Sequence, residues 1–135
     1  MKIARAQEQD FSSIIGLWNE CGLTRPWNDP EKDLRFALKG STSTVLLGTI
    51  ETELVASVMV GHDGHRGVFY YLAVSPHHQS KGYGRAIHDG AVAWLKAQGV
   101  WKINLLVRAE NEKVLGFYQR LGYADNKTRS LGKPI

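Results

Sequence analysis

The spacing of apolar residues predicts two helices in the N-terminal part of the chain. A helical period over about residues 8–21 is carried by Phe11, Ile14, Ile15 and Trp18. The loop 25–30 follows, because its two prolines are disfavoured inside a helix and restrict the residues before them. A second, shorter helix is predicted over about residues 30–39. Residues 2–5, ahead of the first helix, predict a short opening strand.

The pattern then changes to that of strands. Residues 45–50 and 54–60 are rich in β-branched side chains and predict two strands joined by a tight turn. Asp63-Gly64 predicts a further hairpin, because a type I′ turn requires positive φ. The run over about residues 67–74 is apolar or aromatic throughout, which predicts a strand in the centre of the sheet. That strand stops at Ser75-Pro76.

Helical and strand patterns alternate in the rest of the chain. A buried helix face is formed by Ile87, Ala91, Trp94 and Leu95, and the helix ends at Gly99. Residues 102–108 predict a strand, and Asn111 caps a further helix that closes at Gly122. Residues 123–131 predict one or two edge strands. The chain is therefore expected to form a single α/β or α+β layered domain, 1–135, with helices covering a mixed sheet.

Composition narrows the class of protein. The 135 residues are enough to bury a core without metals or disulfides, and the lone cysteine, Cys21, predicts a packed thiol in a reducing compartment. No apolar run approaches the roughly 18 residues that a membrane span needs. The N-terminus also turns polar where a signal peptide would be hydrophobic. These features predict a cytoplasmic protein with no membrane partner.

The two halves of the chain differ in charge. Residues 1–80 carry 7 basic and 9 acidic side chains, whereas residues 81–135 carry 10 basic and 4 acidic ones. The C-terminal half is therefore expected to meet an anion, either a phosphorylated small molecule or nucleic acid, or else to present a solvated basic surface. Nucleic acid is the weaker alternative, because the sequence has no recognition helix and no pattern of exposed stacking aromatics.

The strongest chemical signal is a glycine-containing segment that joins a strand to a helix, Gln79-Ser80-Lys81-Gly82-Tyr83-Gly84. Free amides and the dipole at a helix start attract phosphate oxygens, and glycines let successive amides converge. Lys81 and Arg85 add formal positive charge. A dinucleotide-binding fingerprint would need a small residue where Ile87 stands, and a Walker loop is absent.

Two motifs together resemble the GNAT superfamily of N-acetyltransferases. The run from Leu72 to Gly84 is similar to the acetyl-CoA signature of that family. Asn111, followed by Phe117-Tyr118-x-x-x-Gly122-Tyr123, is similar to its second signature. The resemblance covers nearly the whole chain, and segments 25–30, 63–66 and 70–72 are similar to small bacterial acetyltransferases of the family. It implies a GNAT fold with a mixed, mostly antiparallel sheet of six to seven strands, splayed between the fourth and fifth, and about four helices.

The resemblance also implies roles for single residues. The pantetheine arm of acetyl-CoA would bond to the amides of Leu72, Ala73 and Val74. The pyrophosphate would be held by the segment Gln79, Ser80, Lys81, Gly82, Tyr83, Gly84 and Arg85. Asn111 would hydrogen-bond the cofactor or act as a helix cap, and both roles can coexist. Tyr118 would give a proton to the departing thiolate, against the alternative of a core aromatic on an amphipathic helix.

The residues that deprotonate and bind the acceptor are less defined. Leu106 stands where the family branch that acetylates ribosomal-protein N-termini has a glutamate, which argues against that activity. The remaining candidates for the base are Asp63, His65, Tyr70 and Glu110, or a water relay, although the Asp63-Gly64 turn is also explained by hairpin chemistry alone. In the family that the chain resembles, the loop between the first two helices borders the acceptor pocket, which implies that Trp27, Asn28 and Asp29 line it; the alternative is that they serve only to pack the loop.

The leading hypothesis is therefore direct transfer of acetyl from acetyl-CoA to a primary amine of a small molecule or peptide. The alternative is a GNAT-like module that binds acyl-CoA without catalysis. No metal is expected, because the His62-x-x-His65 pair lacks a second ligand pair at matching spacing. The protein is expected to be a monomer or homodimer.

Overall fold

A computed structural model describes all 135 residues. The four strands, numbered along the chain, are β1 (Lys2–Arg5), β2 (Ser43–Ile50), β3 (Glu53–His62) and β4 (Gly67–Val74). Four α-helices are α1 (Phe11–Glu20), α2 (Pro30–Lys39), α3 (Tyr83–Ala97) and α4 (Glu112–Arg120). Short 3-10 turns precede α1, at Glu8–Asp10, and α3, at Pro76–His78. The chain divides into two compact units, Met1–Asn104 and Leu105–Ile135. One domain spanning 1–135 stays a prediction.

The helix boundaries follow the local signals in the sequence. Helix α2 begins at Pro30, with Asp29 as its N-cap accepting from the Lys32 amide at 3.2 Å. Helix α4 has Asn111 as its N-cap, which accepts from the Val114 amide at 3.2 Å. All four helices predicted from periodicity are confirmed. No helix has the length and apolar character that crossing a membrane would need.

The four strands form an antiparallel sheet in the order β1-β2-β3-β4. The expectation that residues 67–74 form a central strand is wrong, because β4 lies at the edge. Its outer side makes backbone–backbone hydrogen bonds only at Gly67, whose amide donates to the Lys102 carbonyl and whose carbonyl accepts from the Asn104 amide, both at 2.9 Å. These two hydrogen bonds form an isolated parallel bridge between Gly67 and Ile103. The apolar character of β4 instead reflects the helices that cover both faces of the sheet.

The expected count of six to seven strands is also wrong, and because the sheet has no fifth strand the splay between a fourth and a fifth strand stays a prediction. A strand needs a neighbouring backbone along its length, and the predicted strand 102–108 pairs through Ile103 alone. The predicted edge strands in 123–131 are absent, because Asp125 accepts from the Lys127 amide at 2.7 Å and Lys127 has φ +56°. This local turn replaces a strand ladder.

The hairpin between β3 and β4 differs from the predicted type I′ turn. Of its residues only Gly64 has positive φ, at +85°, whereas that turn type needs two such residues. The loop 63–66 is instead closed by the Asp63 carboxylate, which accepts from the amides of His65 at 2.8 Å and Arg66 at 2.7 Å. The physical cause is the ability of an aspartate side chain to satisfy backbone donors in a short loop.

Helices cover both faces of the sheet in the first unit. Helices α1 and α2 pack on one face, around a core that includes Ile14, Trp18, Leu34 and Val45. Helix α3 packs on the other face, against β2, β3 and β4. The contact is close at Gly67, because a Cβ at that position would lie 2.5 Å from Leu95 Cδ1 and the leucine side chain would have to shift. The core thus fixes β4 between α1 and α3.

We expect Leu34→Ala to lower the free energy of unfolding by roughly 2–5 kcal/mol, because Leu34 is fully buried in the α1–α2 core. Urea unfolding followed by circular dichroism measures this loss. Phe36→Ala on the same helix is the matched control, since Phe36 is 80% exposed and should change stability by less than about 0.5 kcal/mol. Equal losses in the two variants would contradict the described packing of α2.

Candidate active site

The outer edge of β4 carries backbone groups that face away from the sheet. The Ser75 amide donates to the Val55 carbonyl at 2.8 Å, so Ser75 faces β3, whereas Gly67 faces the opposite side. They are eight positions apart in the sequence, an even number, so in a regular strand both would face the same way. An extra residue must therefore lie between them. In the resulting register Ala73 faces β3, and Leu72 and Val74 face outward.

The extra residue is a β-bulge at Tyr71. The pairing places Met59 opposite Tyr70 and Ser57 opposite Ala73, so that the two residues 71–72 oppose Val58 alone. Tyr71 has φ +53°, a conformation that costs an L-residue about 1–2 kcal/mol. Such strain persists only where the surroundings hold it, and it is concentrated at functional sites.

The bulge residue Tyr71 is held from the α1–α2 face of the sheet by the side chains of Ser57, Trp18 and Asp33. The Tyr71 carbonyl accepts from Ser57 Oγ at 3.1 Å, and Ser57 Oγ in turn accepts from Trp18 Nε1 at 2.9 Å. The Trp18 and Tyr71 rings are stacked, with centroids 3.8 Å apart. The Tyr71 hydroxyl donates to Asp33 Oδ2 at 2.8 Å. Burial, and then this bond to Asp33, raise the pKa of the Tyr71 phenol, which therefore stays a donor.

The last carbonyl of β4 is also engaged from outside the sheet. Val74 O accepts from Cys21 Sγ at 3.4 Å and from Gln79 Nε2 at 3.5 Å. Burial raises the pKa of the Cys21 thiol, which is therefore a packed group, as the sequence predicts, and not an activated nucleophile. Gln79 thus links the end of β4 to the segment that follows.

That segment forms an amide cradle, which we define as residues 80–85. Ser80 has φ +62° and Gly82 has φ +82°, so the backbone turns sharply before α3 begins at Tyr83. No side chain caps α3, and its first bond joins the Ala86 amide to the Gly82 carbonyl at 3.1 Å. The backbone amides of the cradle residues, 80–85, make no hydrogen bond with the protein. They are free to bind an anion.

The charges around the cradle also fit a phosphate group. Lys81 and Arg85 are both exposed. The Nε atom of Arg85 lies 4.0 Å from Asp89 Oδ2. The positive end of the α3 dipole adds to this field. His78 lies beside the cradle, with its ring 6.3 Å from that of Tyr83, and its buried Nδ1 has no hydrogen-bond partner. The residues present therefore fit a pyrophosphate.

Asn111 and Tyr118 belong to the second unit. Asn111 uses Oδ1 to cap α4, which leaves its amide nitrogen as a donor. Tyr118 packs edge-on against Phe117 and Tyr123, with ring centroids 5.2 Å and 5.4 Å away. Burial, and then Tyr123, raise the pKa of Tyr118 to about 12. The phenol is protonated at neutral pH, as a proton donor must be.

The structure does not bring all acceptor and base candidates together. Asp63 and His65 lie in the hairpin ahead of β4, at the end of that strand opposite the cradle. The bonds that close the hairpin, chiefly from the Arg66 and His65 amides, lower the pKa of Asp63, which makes it a weaker base. Tyr70 is 48% exposed and lies within β4, next to the bulge. Asp63 and His65 are thus separated from the cradle by the length of β4.

The loop candidates lie ahead of α2. Trp27 is 70% exposed, Asn28 donates its amide to the Arg25 carbonyl, and Asp29 caps α2. The structural role of Asp29 is therefore established, and a role toward an acceptor stays a prediction. Ser57, Asp33 and Tyr71 were not singled out by the sequence as site residues. Their types occur throughout proteins, and only the register of β3 on β4 brings them to the bulge.

Comparison with known proteins gives a consistent result. A model of the acetyltransferase (GNAT) family matches residues 10–123. A protein of Yersinia pestis (strain Pestoides F) named "Acetyltransferase" is 41% identical over 135 residues, covering 100% of this chain and 96% of that protein. A relative of Yersinia enterocolitica, "Acetyltransferase YE1169", is also 41% identical over 135 residues, with 100% and 96% coverage.

Solved structures share the fold at lower identity. The structure of AAC(6')-Iy in complex with a bisubstrate analogue, CoA-S-monomethyl-acetylneamine, superposes with a TM-score of 0.84 at 12% identity, covering 99% of this chain and 97% of that one. The aminoglycoside antibiotic 6'-N-acetyltransferase AAC(6')-IG of Acinetobacter haemolyticus gives a TM-score of 0.82 at 17% identity, with 100% and 99% coverage. At these identities the likeness concerns the fold.

We expect Gly82→Ala to destabilise the protein by about 1 kcal/mol and to weaken binding of inorganic pyrophosphate, because an L-residue is strained at φ +82°. A Cβ there meets no atom within 4 Å, so the cost arises from the backbone and not from a clash. Gly40→Ala is the control, with φ −98° and equally open surroundings. Calorimetric titration and thermal unfolding of both variants measure the difference. Equal pyrophosphate binding by wild type and Gly82→Ala would contradict the cradle.

Proposed function

The chain belongs to the acetyltransferase (GNAT) family and is an acyl-CoA-dependent N-acyltransferase, and on this premise we propose that it transfers acetyl from acetyl-CoA directly to a primary amine of a small molecule or peptide. One observation carries the proposal. The outward-facing edge of β4, at Leu72 and Val74, runs into the amide cradle 80–85, and both present unpaired donors in one continuous stretch of chain. A ligand that combines an amide-bearing arm with a pyrophosphate matches this order of groups.

The two parts of the site would bind different parts of acetyl-CoA. The pantetheine arm carries amide groups, so it would pair with the outward backbone groups of Leu72 and Val74 in the manner of an added strand. Ala73 would support the arm only indirectly, since it faces β3. The pyrophosphate would take the cradle amides, with Lys81 and Arg85 as its counter-charges. Gln79 would hold the junction between the two parts, and Asn111 would add a side-chain amide donor.

Transfer then needs little from the protein beyond orientation and one proton. The neutral amine nitrogen attacks the thioester carbonyl carbon, the carbon–sulfur bond breaks, and the products are an amide and a free thiol. Tyr118 Oη gives its proton to the departing sulfur, and the proton that the nitrogen loses on forming the amide restores the phenol through water. An amine that arrives protonated first releases its extra proton to solvent through the same water. A water relay is preferred to Asp63, whose lowered pKa makes it a poor base. Holding both reactants in position supplies the larger share of the acceleration.

The acceptor is proposed to be a small cationic amine, and less readily a peptide. The N-terminal half, with 7 basic and 9 acidic residues, is the acidic part of the chain, and it contains Trp27 and Asp29. A protonated amine would be attracted by the Asp29 carboxylate and by the face of the exposed Trp27 ring. A cytoplasmic location and a monomeric or homodimeric state also stay predictions.

Turnover of acetyl-CoA against a panel of amines tests the function. Amino acids, polyamines and peptide N-termini are supplied in turn, and free thiol is followed with a chromogenic reagent. The proposal expects amine-dependent thiol release, with the acetylated amine identified by mass spectrometry. Tight binding of acetyl-CoA without release for any amine would instead favour the non-catalytic acyl-CoA module.

Tyr118→Phe should lower kcat by about 10²-fold or more, because the departing sulfur then lacks a proton donor. The KM for acetyl-CoA should stay close to that of wild type. In wild type the phenol should remain protonated from pH 6 to pH 10, because the pKa of Tyr118 is raised to about 12. No loss of kcat due to this group is therefore expected in that range. An unchanged kcat in Tyr118→Phe would remove Tyr118 from the mechanism.

Asp29→Asn should raise the KM for a cationic acceptor several-fold while leaving acetyl-CoA affinity unchanged. Asparagine caps a helix about as well as aspartate, so this variant removes the charge and keeps the start of α2. Asp29→Ala removes both and serves as the comparison, with an expected stability loss of about 1 kcal/mol. An acceptor KM equal to that of wild type in Asp29→Asn would show that Asp29 acts only as a cap.

A further inference from the structure

We propose that Ser57 is a positioning residue for coenzyme A binding: together with Trp18 and Tyr71 it forms a brace that holds the β4 bulge and so directs the amides of Leu72 and Val74 outward. The inference rests on the proposed function, since it concerns how the same edge of β4 takes the pantetheine arm. The three side chains make up the brace and are so named below. None of them is required to touch the ligand.

The position of Ser57 explains why a bulge forms at this point. A strand carbonyl normally accepts from the neighbouring strand, but the Tyr71 carbonyl accepts from a side chain, Ser57 Oγ, at 3.1 Å. Ser57 is fully buried, and its hydroxyl oxygen is fixed by the Trp18 indole at 2.9 Å. Without this donor the partly buried Tyr71 carbonyl would lack a protein partner. The hydroxyl therefore gives the Tyr71 carbonyl a partner at the point where the bulge interrupts the ladder.

The rings restrain the same residue from a second direction. Trp18 and Tyr71 stack with planes 8° apart, and the Tyr71 hydroxyl is tied to Asp33 on α2 at 2.8 Å. Carbonyl, ring and hydroxyl of Tyr71 are thus each held by a different group. This explains how φ +53° is maintained at a residue with a large side chain.

The bulge decides which backbone groups a ligand meets. Gly67 faces outward and Ser75 faces β3, and only an extra residue between them permits both. Without the bulge, either the strand before Tyr71 or the residues after it would have to turn over. The amides of Leu72 and Val74 would then lose their outward direction or their fixed spacing to the cradle. The cradle itself depends on Ser80 and Gly82 and not on the brace.

This separation gives a test with two ligands. Coenzyme A contains both the amide-bearing arm and the pyrophosphate, whereas ADP contains a pyrophosphate without the arm. In Ser57→Ala we expect the Kd of coenzyme A to rise about tenfold, the effect of losing roughly one well-aligned hydrogen bond. The Kd of ADP should stay within about twofold of the wild-type value, because the cradle that binds the pyrophosphate does not depend on the brace. Isothermal titration calorimetry measures both.

Two further variants separate positioning from general stability. Leu34→Ala loosens the same core and removes none of the hydrogen bonds of the brace, so it should lower the melting temperature while leaving the Kd of coenzyme A unchanged. Tyr71→Phe keeps the stack and the Ser57 bond and removes only the bond to Asp33. It should raise the Kd of coenzyme A less than Ser57→Ala does. In the absence of ligand, hydrogen exchange of the Ala73 amide, which faces β3, should accelerate more in Ser57→Ala than in Leu34→Ala.

The possible results are distinct. A normal Kd for coenzyme A in Ser57→Ala overturns the brace and leaves the proposed function intact. An equal rise for ADP and coenzyme A, or an equal rise in Leu34→Ala, also overturns it, because the loss would then come from general loosening. If wild type bound neither coenzyme A nor ADP, the proposed function itself would fail and the brace with it. Unchanged exchange of the Ala73 amide in Ser57→Ala would contradict the brace independently of any ligand.

Discussion

The hydrogen bond from Ser57 to the Tyr71 carbonyl is the interaction on which the candidate site depends. It lies beneath an edge strand, and its donor Ser57 is fully buried. By occupying that carbonyl it stabilises one extra residue in β4. The faces of Leu72 and Val74, and hence the donors that the edge presents, follow from that single insertion.

Two elements of different character meet at the end of β4. The edge of the strand offers directional donors without charge, and the start of α3 offers converging amides with a positive field. Gln79 connects them through the Val74 carbonyl. A coenzyme A thioester carries the complementary groups in the same order, so the family assignment and the local chemistry agree on the class of ligand.

The sequence predicted the elements more reliably than their pairing. Proline, asparagine and glycine signals placed α2 and α4 correctly, because helix ends are decided by residues close in the chain. The strand predicted over 102–108 was wrong, because apolar alternation gives only a tendency toward extended backbone and the partner is supplied from elsewhere. The type I′ turn was wrong for a related reason: the Asp63 side chain offered the loop a different set of hydrogen bonds.

By itself the sequence determined the helices, the glycine turn at Gly82 and the class of ligand, a coenzyme A thioester. These features depend on residues close together in the chain and on short sequence motifs. Only the tertiary structure decided that β4 is an edge strand, that it is bulged at Tyr71, and that Ser57, Trp18 and Asp33 meet there. The physical reason is distance along the chain. Contacts between residues far apart in sequence depend on strand register, and a shift of one residue turns every side chain to the other face.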